Sequence, residues 1–303
     1  MQNTSHILMV RPVKFAYNAE TAVNNSFQVA SNDSSVQQKA LLEFDAFVTK
    51  LRANVIDVTV VQDSPEPHTP DSIFPNNWIS FHEGGNIYLY PMFAVNRRKE
   101  RKQDVLDAVN KKFIVKNTTD LTQKENDNIF LEGTGSMVLD RAAKIAYACI
   151  SPRTDKKLLQ EFCDKEGYAA TSFTANDQNG DAIYHTNVMM CVAGKYVVIC
   201  LESITNAKEK DHVVQTIEKS GKAIIAITLE QMNRFAGNML QVINDKGQPF
   251  LIMSTQAFES LTAEQIKKLE TYNPILHSDI KTIETNGGGS ARCMMAEVFL
   301  TLR

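Results

Sequence analysis

No two cysteines in this chain stand at CxxC spacing. The five present (Cys149, Cys163, Cys191, Cys200 and Cys293) are an odd number, which argues against both a disulfide framework and a thiolate zinc site. The six histidines form no HxH, HExxH or HxxxH pair, so neither a metal nor another cofactor is expected. An excess of one charge is missing too. The 32 Lys and Arg against 35 Asp and Glu give a formal net charge of −3 with no basic stripe, so neither nucleic acid nor an anionic membrane is the expected partner. No stretch approaches the roughly 18 apolar residues that span a bilayer, and no positive segment precedes an apolar N-terminus, so a soluble, cytoplasmic protein is expected. No Pro-, Gly- and Ser-rich linker divides the 303 residues, of which 43% are apolar. That suffices for a substantial core, and the expectation is one domain over residues 1–303.

What is present is alternation. Apolar runs at residues 7–10, 55–61, 87–90, 145–150, 197–201, 223–228 and 250–253 read as strands separated by helical stretches, the pattern of the α/β class. Residues 35–52 repeat Leu41, Phe44, Val48 and Leu51 on one helical face, and further helices with charged outer faces are expected over 97–112, 155–165, 208–220 and 262–272. No strong internal sequence repeat exists, although five or six strand-and-helix groups fit this length. Residues 255–272 read as amphipathic, which suits either the outer face of the fold or a homo-oligomer contact.

One thiol stands apart. Cys149, Cys191 and Cys200 lie inside apolar runs and read as core, whereas Cys293 follows Gly287-Gly288-Gly289-Ser290-Ala291-Arg292. Three glycines permit backbone angles and close approaches that side chains block. Ser290 is positioned as an N-cap, and Ala296, Phe299 and Leu300 recur at helical spacing. Cys293 is therefore expected in the first turn of a helix, where unpaired N–H groups and the dipole favour a thiolate. A Gly-rich turn before a buried, inert cysteine is the ordinary alternative, since free cysteine is commonly core.

Three other segments carry polar residues where strands are expected to begin or end: Phe130-Leu131-Glu132-Gly133-Thr134-Gly135-Ser136, Tyr184-His185-Thr186-Asn187, and Asp71-Ser72-Ile73-Phe74-Pro75-Asn76-Asn77-Trp78. Singly these read as a Gly-rich hairpin, a structural histidine and a turn. Together they supply what a thiolate nucleophile needs: an imidazole as acid and base, and a carboxylate to orient it. Cys293, His185 and Glu132 are the candidate catalytic residues.

In this order and spacing the segments resemble the pentein, or guanidino-group-modifying, superfamily. Within it the chain is similar, nearly end to end, to dimethylarginine dimethylaminohydrolases and arginine-deiminase-related proteins. Residues 6–12 and Tyr17-Asn18-Ala19-Glu20-Thr21 are similar to a subgroup of citrulline-utilisation hydrolases and amidinotransferases. Leu131-Glu132-Gly133 matches the acidic-Gly motif of the superfamily, His185 its histidine and Cys293 its nucleophile. Residues 71–74, with Asp71 and Phe74, are similar to the segment that grips the guanidino group. Arg97-Arg98 and Ser151-Pro152-Arg153-Thr154 resemble motifs whose arginines hold the substrate carboxylate, which makes Arg153 with Arg97 or Arg98 the candidates. Gly237-Asn238 is similar to a pocket-lining pair. The resemblance implies a five-bladed α/β propeller of ββαβ units and a small amino-acid substrate hydrolysed through a thio-intermediate. Transfer of the amidino group to an amine, or a non-catalytic binding module, are the alternatives. The chain departs from the pattern at Asn76 and Asn77, where carboxylates are common, at Asn187, where deiminases often have Asp, and at Thr134, in place of a second glycine. Amides offer donors and acceptors alike, which suits a neutral ureido group such as that of citrulline.

Overall fold

The computed structural model describes residues 1–31 and 33–303. Among these, fifteen strands form five three-stranded sheets. Four sheets repeat one pattern: two antiparallel strands, a helix on the outside, and a third strand parallel to the second. They are β3 (Ile79–His82), β4 (Asn86–Leu89) and β5 (Asn117–Asp120); β6 (Val138–Asp140), β7 (Ile145–Cys149) and β8 (Ala169–Phe173); β9 (Met190–Val192), β10 (Tyr196–Ile199) and β11 (Ala223–Ala226); and β12 (Leu240–Ile243), β13 (Pro249–Ser254) and β14 (Ile275–Ser278). A parallel pair cannot be joined by a hairpin, which is why a helix stands between the second and third strand of each sheet. The remaining sheet uses both ends of the chain. β1 (His6–Arg11) pairs parallel with β2 (Asp57–Gln62) across the helix Val36–Ala53, and β15 (Ala296–Glu297) pairs antiparallel with β1 in the register Leu8↔Ala296. The C-terminal strand thus takes the place that β3, β6, β9 and β12 hold in the other sheets, and this closes a five-bladed α/β propeller.

These leading strands face one another: β15 touches β3, β6 touches β9, and β9 touches β12. Middle strands such as β10, buried at all four residues, are apolar because sheet and helix cover both faces. The helices bury one stripe each, as Lys156–Glu166 does with Leu158, Leu159, Phe162 and Cys163. Its ends are set by Asp155, whose carboxylate accepts from Leu158 N, and by Gly167 in the left-handed region.

Four sequence expectations are corrected. In helix Val36–Ala53 the buried face is Ala40, Phe44, Phe47, Val48 and Leu51, with Leu41 only half-buried. The single helix expected over 97–112 is a 3-10 turn, Asn96–Glu100, followed by the helix Gln103–Lys112, because Arg97 and Glu100 turn inward as a buried ion pair. Residues 255–272 are two helices, Thr255–Ser260 and Ala263–Glu270, the second started afresh by a Thr262–Gln265 capping box. The helix expected after Ser290 does not form. Ser290 Oγ donates to Glu284 Oε1 at 2.5 Å instead of capping, and Ala296 is taken into β15. Cys293 therefore lies in a turn, and the helix-dipole account of its activation falls with the helix.

Candidate active site

Each leading strand is preceded by a tight polar segment: Pro75–Asn77 before β3, Gly133–Ser136 before β6, Thr186–Met189 before β9, residues 235–239 before β12 and 290–295 before β15. Five segments from five blades converge, bringing Asn76 and Asn77, Glu132, His185 and Asn187, Asn238, and Cys293 into one neighbourhood.

Glu132 is wholly buried. Its Oε2 accepts from His185 Nε2 at 2.7 Å, Oε1 accepts from Phe93 N at 2.9 Å, and the Arg153 Nη1 atom lies 3.6 Å away. Burial by itself pushes this carboxyl up; Arg153, the bond from His185 and Arg97 outweigh it and hold the group at about 2. His185 is also buried. Burial, with repulsion from Arg153 and Arg97, outweighs the attraction of Glu132 and lowers its imidazole to about 4. At neutral pH the ring is uncharged, and with its Nε2 proton directed at the carboxylate, Nδ1 is left as an acceptor. That nitrogen faces Gly135, where an added Cβ would stand 2.8 Å from it.

Two expected outcomes follow from this environment. Gly135→Ala displaces the imidazole and lowers turnover by about 100-fold or more, an effect read as kcat with little change in fold; unchanged kcat contradicts the placement of the ring. The second concerns acid stability. The folded pKa of His185 is depressed from 6.5 to about 4, so the unfolded chain binds the extra proton between these values. This group's contribution is complete above pH 6.5 and is lost as pH falls through 4. His185→Gln is expected to flatten the fall of Tm over that range relative to wild type, and parallel Tm curves contradict it.

Cys293 is buried at 3% exposure. Its Sγ receives Asn238 Nδ2 at 3.3 Å and Asn187 Nδ2 at 3.5 Å. Asn238 is itself fixed, since its Nδ2 also reaches Asn187 O at 2.9 Å and its Oδ1 accepts from Arg292 N at 3.0 Å. Two amide N–H groups thus converge on the sulfur.

Cys293 and His185 line one cavity with Asp71, Phe74, Asn77, Arg97, Arg153 and Tyr184. Its floor is Gly287, Gly288 and Gly289: a Cβ on Gly287 or Gly289 would lie within 3 Å of the Phe74 ring, and Gly288 has φ +63°. Asp71 is buried, which raises its carboxyl against the pull of Arg97, Asn18 and Thr21. Its Oδ2 accepts from Asn18 Nδ2 at 2.7 Å, while Oδ1 has no partner; Asn187 Oδ1 is unpartnered too. Two orphaned buried acceptors call for a ligand rich in N–H donors.

Asn77 Oδ1 accepts from Arg97 Nη1 at 2.8 Å, and Asn77 Nδ2 donates to Asn76 Oδ1 at 3.1 Å. Asn76 lies behind, donating to Thr134 Oγ1 at 3.3 Å, so two departures from the superfamily pattern are bonded partners. Arg98 is turned away from the cavity: its Nε donates to Met92 O at 3.0 Å and lies 3.5 Å from Glu125. Arg97 stands at the cavity wall in its place, held by both oxygens of Glu100. Arg153 donates to Thr21 O at 2.8 Å and, through Nε, to Asn24 Oδ1 at 2.9 Å, and its guanidinium lies 4.9 Å from the Tyr184 ring centroid. Thr21 and Asn25 complete the wall, leaving about 10 Å³, room for about one water. An amino acid does not fit that volume, so admission requires the wall to open. Sequence reasoning missed these N-terminal wall residues, although Thr21 lies in a quoted motif. Among the described residues no group of three or more His, Cys, Asp or Glu side chains is placed to hold a metal ion, and no helix is long and apolar enough to cross a membrane.

The sequence family described as N,N dimethylarginine dimethylhydrolase, eukaryotic, matches residues 11–300. The chain belongs to this family. As a member of the dimethylarginine dimethylhydrolase family it is a hydrolase of guanidino C–N bonds, in the pentein superfamily. No curated protein matches its sequence. Solved structures share the fold. ArgZ, a cyanobacterial arginine dihydrolase of the ornithine–ammonia cycle, superposes with a TM-score of 0.77 at 18% identity over 98% of this chain, which spans 41% of full-length ArgZ. The substrate-bound N-terminal domain of ArgZ is covered to 98% of its own length, with the same TM-score and identity. A dimethylarginine dimethylaminohydrolase variant, a histidine-to-glycine adduct with S-methyl-L-thiocitrulline, matches at 13% identity and a TM-score of 0.66, over 97% of this chain and 99% of that one.

Proposed function

We propose that this family member cleaves the terminal C–N bond of an arginine- or citrulline-like amino acid through a covalent intermediate on Cys293, with citrulline favoured. The observation that carries the reading is the shared cavity of Cys293 and His185, with Glu132 on the imidazole and two unpartnered acceptors beside them. Neutral His185 takes the thiol proton as Sγ attacks the central carbon, and Asn187 and Asn238 stabilise the sulfur. The resulting imidazolium, paired with Glu132, returns the proton to the departing ammonia. With citrulline this leaves a thiocarbamate on Cys293. His185 then removes a proton from water as the water oxygen adds to the carbonyl carbon, the C–S bond breaks with that proton returned to Sγ, and the released carbamate decomposes to ornithine and carbon dioxide. Arg153 is the partner for the substrate carboxylate, exchanging Asn24 and Thr21 for a bidentate ligand.

Citrulline is favoured because Asn77 and Asn187 are neutral where a cationic guanidinium would be met by charge, and because amides match a group that both donates and accepts. A second reading, removal of both terminal guanidino nitrogens from arginine, is supported by the unpartnered Asp71 Oδ1, which suits a cation, and by the similarity to ArgZ, an arginine dihydrolase. Ammonia and ornithine are to be measured with arginine, methylated arginines, citrulline and agmatine as sole substrates. Preference for citrulline is expected. Equal turnover of arginine, or a tenfold preference for it, about 1.4 kcal/mol in transition-state binding, rejects the tuning, and two ammonia per ornithine from arginine establishes the second reading. Activity that appears only with an added amine identifies a transferase instead.

A further inference from the structure

Thr186 is wholly buried and does not line the catalytic cavity, yet it adjoins His185 and its hydroxyl bonds in two directions. Oγ1 accepts from the N–H of Cys149, the last residue of β7, at 2.8 Å and donates to Ser136 O at 2.6 Å. The segment that carries the imidazole is therefore tied to a buried strand end on one side and to the Glu132 turn on the other. Ser136 repeats the device. Its Oγ accepts from Glu132 N at 2.9 Å and donates to Arg153 O at 2.7 Å. Ser151 completes the set, with Oγ accepting from Arg153 N at 3.1 Å and donating to Tyr184 O at 2.8 Å. Three hydroxyls, each donor and acceptor at once, thus join the backbones that present Glu132, Arg153 and His185.

The imidazole meets the Glu132 turn at both of its nitrogens. Glu132 Oε2 accepts from Nε2, and Gly135, the residue before Ser136, leaves the space that Nδ1 faces. Because the Thr186–Ser136 bond links the residue after His185 to the residue after Gly135, it fixes how far that turn stands from the backbone bearing the imidazole. His185 has no comparable anchor of its own: its backbone is extended and its side chain makes no capping bond. Resting on the pairing of His185 with Cys293 in the proposed reaction, we propose that Thr186 is a positioning residue whose hydroxyl holds the imidazole where it exchanges protons with Cys293 while bonded to Glu132. A methyl in place of the hydroxyl leaves the Cys149 N–H and the Ser136 carbonyl without this partner, and the two segments move apart. A misplacement of about 1 Å in a group that transfers protons costs about 100-fold in rate.

The test compares Thr186→Val, which has nearly the shape of threonine, with Thr186→Ser, which keeps the hydroxyl. Turnover is measured with citrulline or arginine, whichever the wild type consumes faster, beside a thermal melt. Thr186→Val is expected to lose about 30- to 100-fold in kcat with KM within about threefold of wild type, and Thr186→Ser to recover kcat to within about fivefold. Ser203→Ala removes another buried hydroxyl, bonded to Cys200 O at 2.7 Å and outside the cavity lining, and is expected to lower Tm with kcat unchanged. Wild-type kcat in Thr186→Val, equal losses in the Val and Ser variants, or an equal loss of kcat in Ser203→Ala overturns the proposal. Should Thr186→Val not fold, Thr186→Ala takes its place, since it lets water reach the two backbone groups without fixing them; equal kcat in Thr186→Ala and Thr186→Ser overturns the proposal equally. Cys293→Ala, run alongside, separates the two levels. Activity remaining there removes the pairing of His185 with Cys293, whereas its inactivity beside a fully active Thr186→Val removes the role of Thr186 alone.

Discussion

Cys293→Ala is expected to leave no more than about one part in 10⁴ of wild-type turnover while the fold persists. The sulfur is the only thiol among the described residues lining the cavity, and no other cysteine is equipped to replace it. Burial pushes Cys149 up to about 11 and Cys191 up to about 12, each inside apolar packing. A water molecule activated by His185 in the space left by the thiol would have to attack without a covalent step, which is why a small residue remains. Removing a side chain of this size costs about 1–2 kcal/mol in packing, too little to unfold the chain. The check is ammonia release at saturating substrate, beside a thermal melt. Activity above about one percent of wild type, with an unchanged melt, refutes nucleophilic catalysis by Cys293. Alkylation adds a second measurement: iodoacetamide is expected to modify Cys293 ahead of the other four thiols, and equal labelling of all five contradicts its activation.

The setting of Cys293 is not the one its sequence context suggested. Gly287-Gly288-Gly289-Ser290 followed by helical spacing of Ala296, Phe299 and Leu300 has the form of a capped helix, but the competing partner of Ser290, the Glu284 carboxylate, lies six residues earlier on a separate helix and is invisible to a local pattern. Ala296 likewise belongs to the sheet begun by β1, almost three hundred residues away. The middle strands β1, β4, β7, β10 and β13, with β2 and β11, were legible as apolar runs and most helices by their period, whereas short or polar strands such as β5 and β8 carry no such signal. Glu132, His185 and Cys293 were legible because their residue types stood at strand boundaries that the resemblance ordered. Arg97 and Arg98 were not separable, since adjacent residues differ only in the direction each side chain takes, and that is decided by Glu100, Asn77 and Glu125. The N-terminal wall was hidden for the same reason. Thr21, Asn24 and Asn25 look like an ordinary polar loop until Arg153 and Gly288 are placed against them.

Glu132→Gln is expected to lower kcat by about 10³- to 10⁴-fold at every pH, although the amide has nearly the shape of the acid. The carboxylate has two charged dependants. In the free enzyme it faces Arg153 at 3.6 Å, and in the proposed reaction it also faces the imidazolium that His185 becomes. Replacing the charge with a dipole leaves a buried guanidinium underpaired, a defect of about 3 kcal/mol or more in stability, and withdraws stabilisation from the imidazolium. The pH profile distinguishes this loss from simple damage. Glu132 is the group that holds the His185 pKa up against burial, so its removal is expected to move the acid limb of kcat/KM to lower pH while the plateau falls. A lower plateau with the limb unmoved, or moved upward, means that the carboxylate does not act through the imidazole. A plateau within tenfold of wild type removes Glu132 from the mechanism altogether, leaving it the structural contacts with Arg153 and Phe93 N.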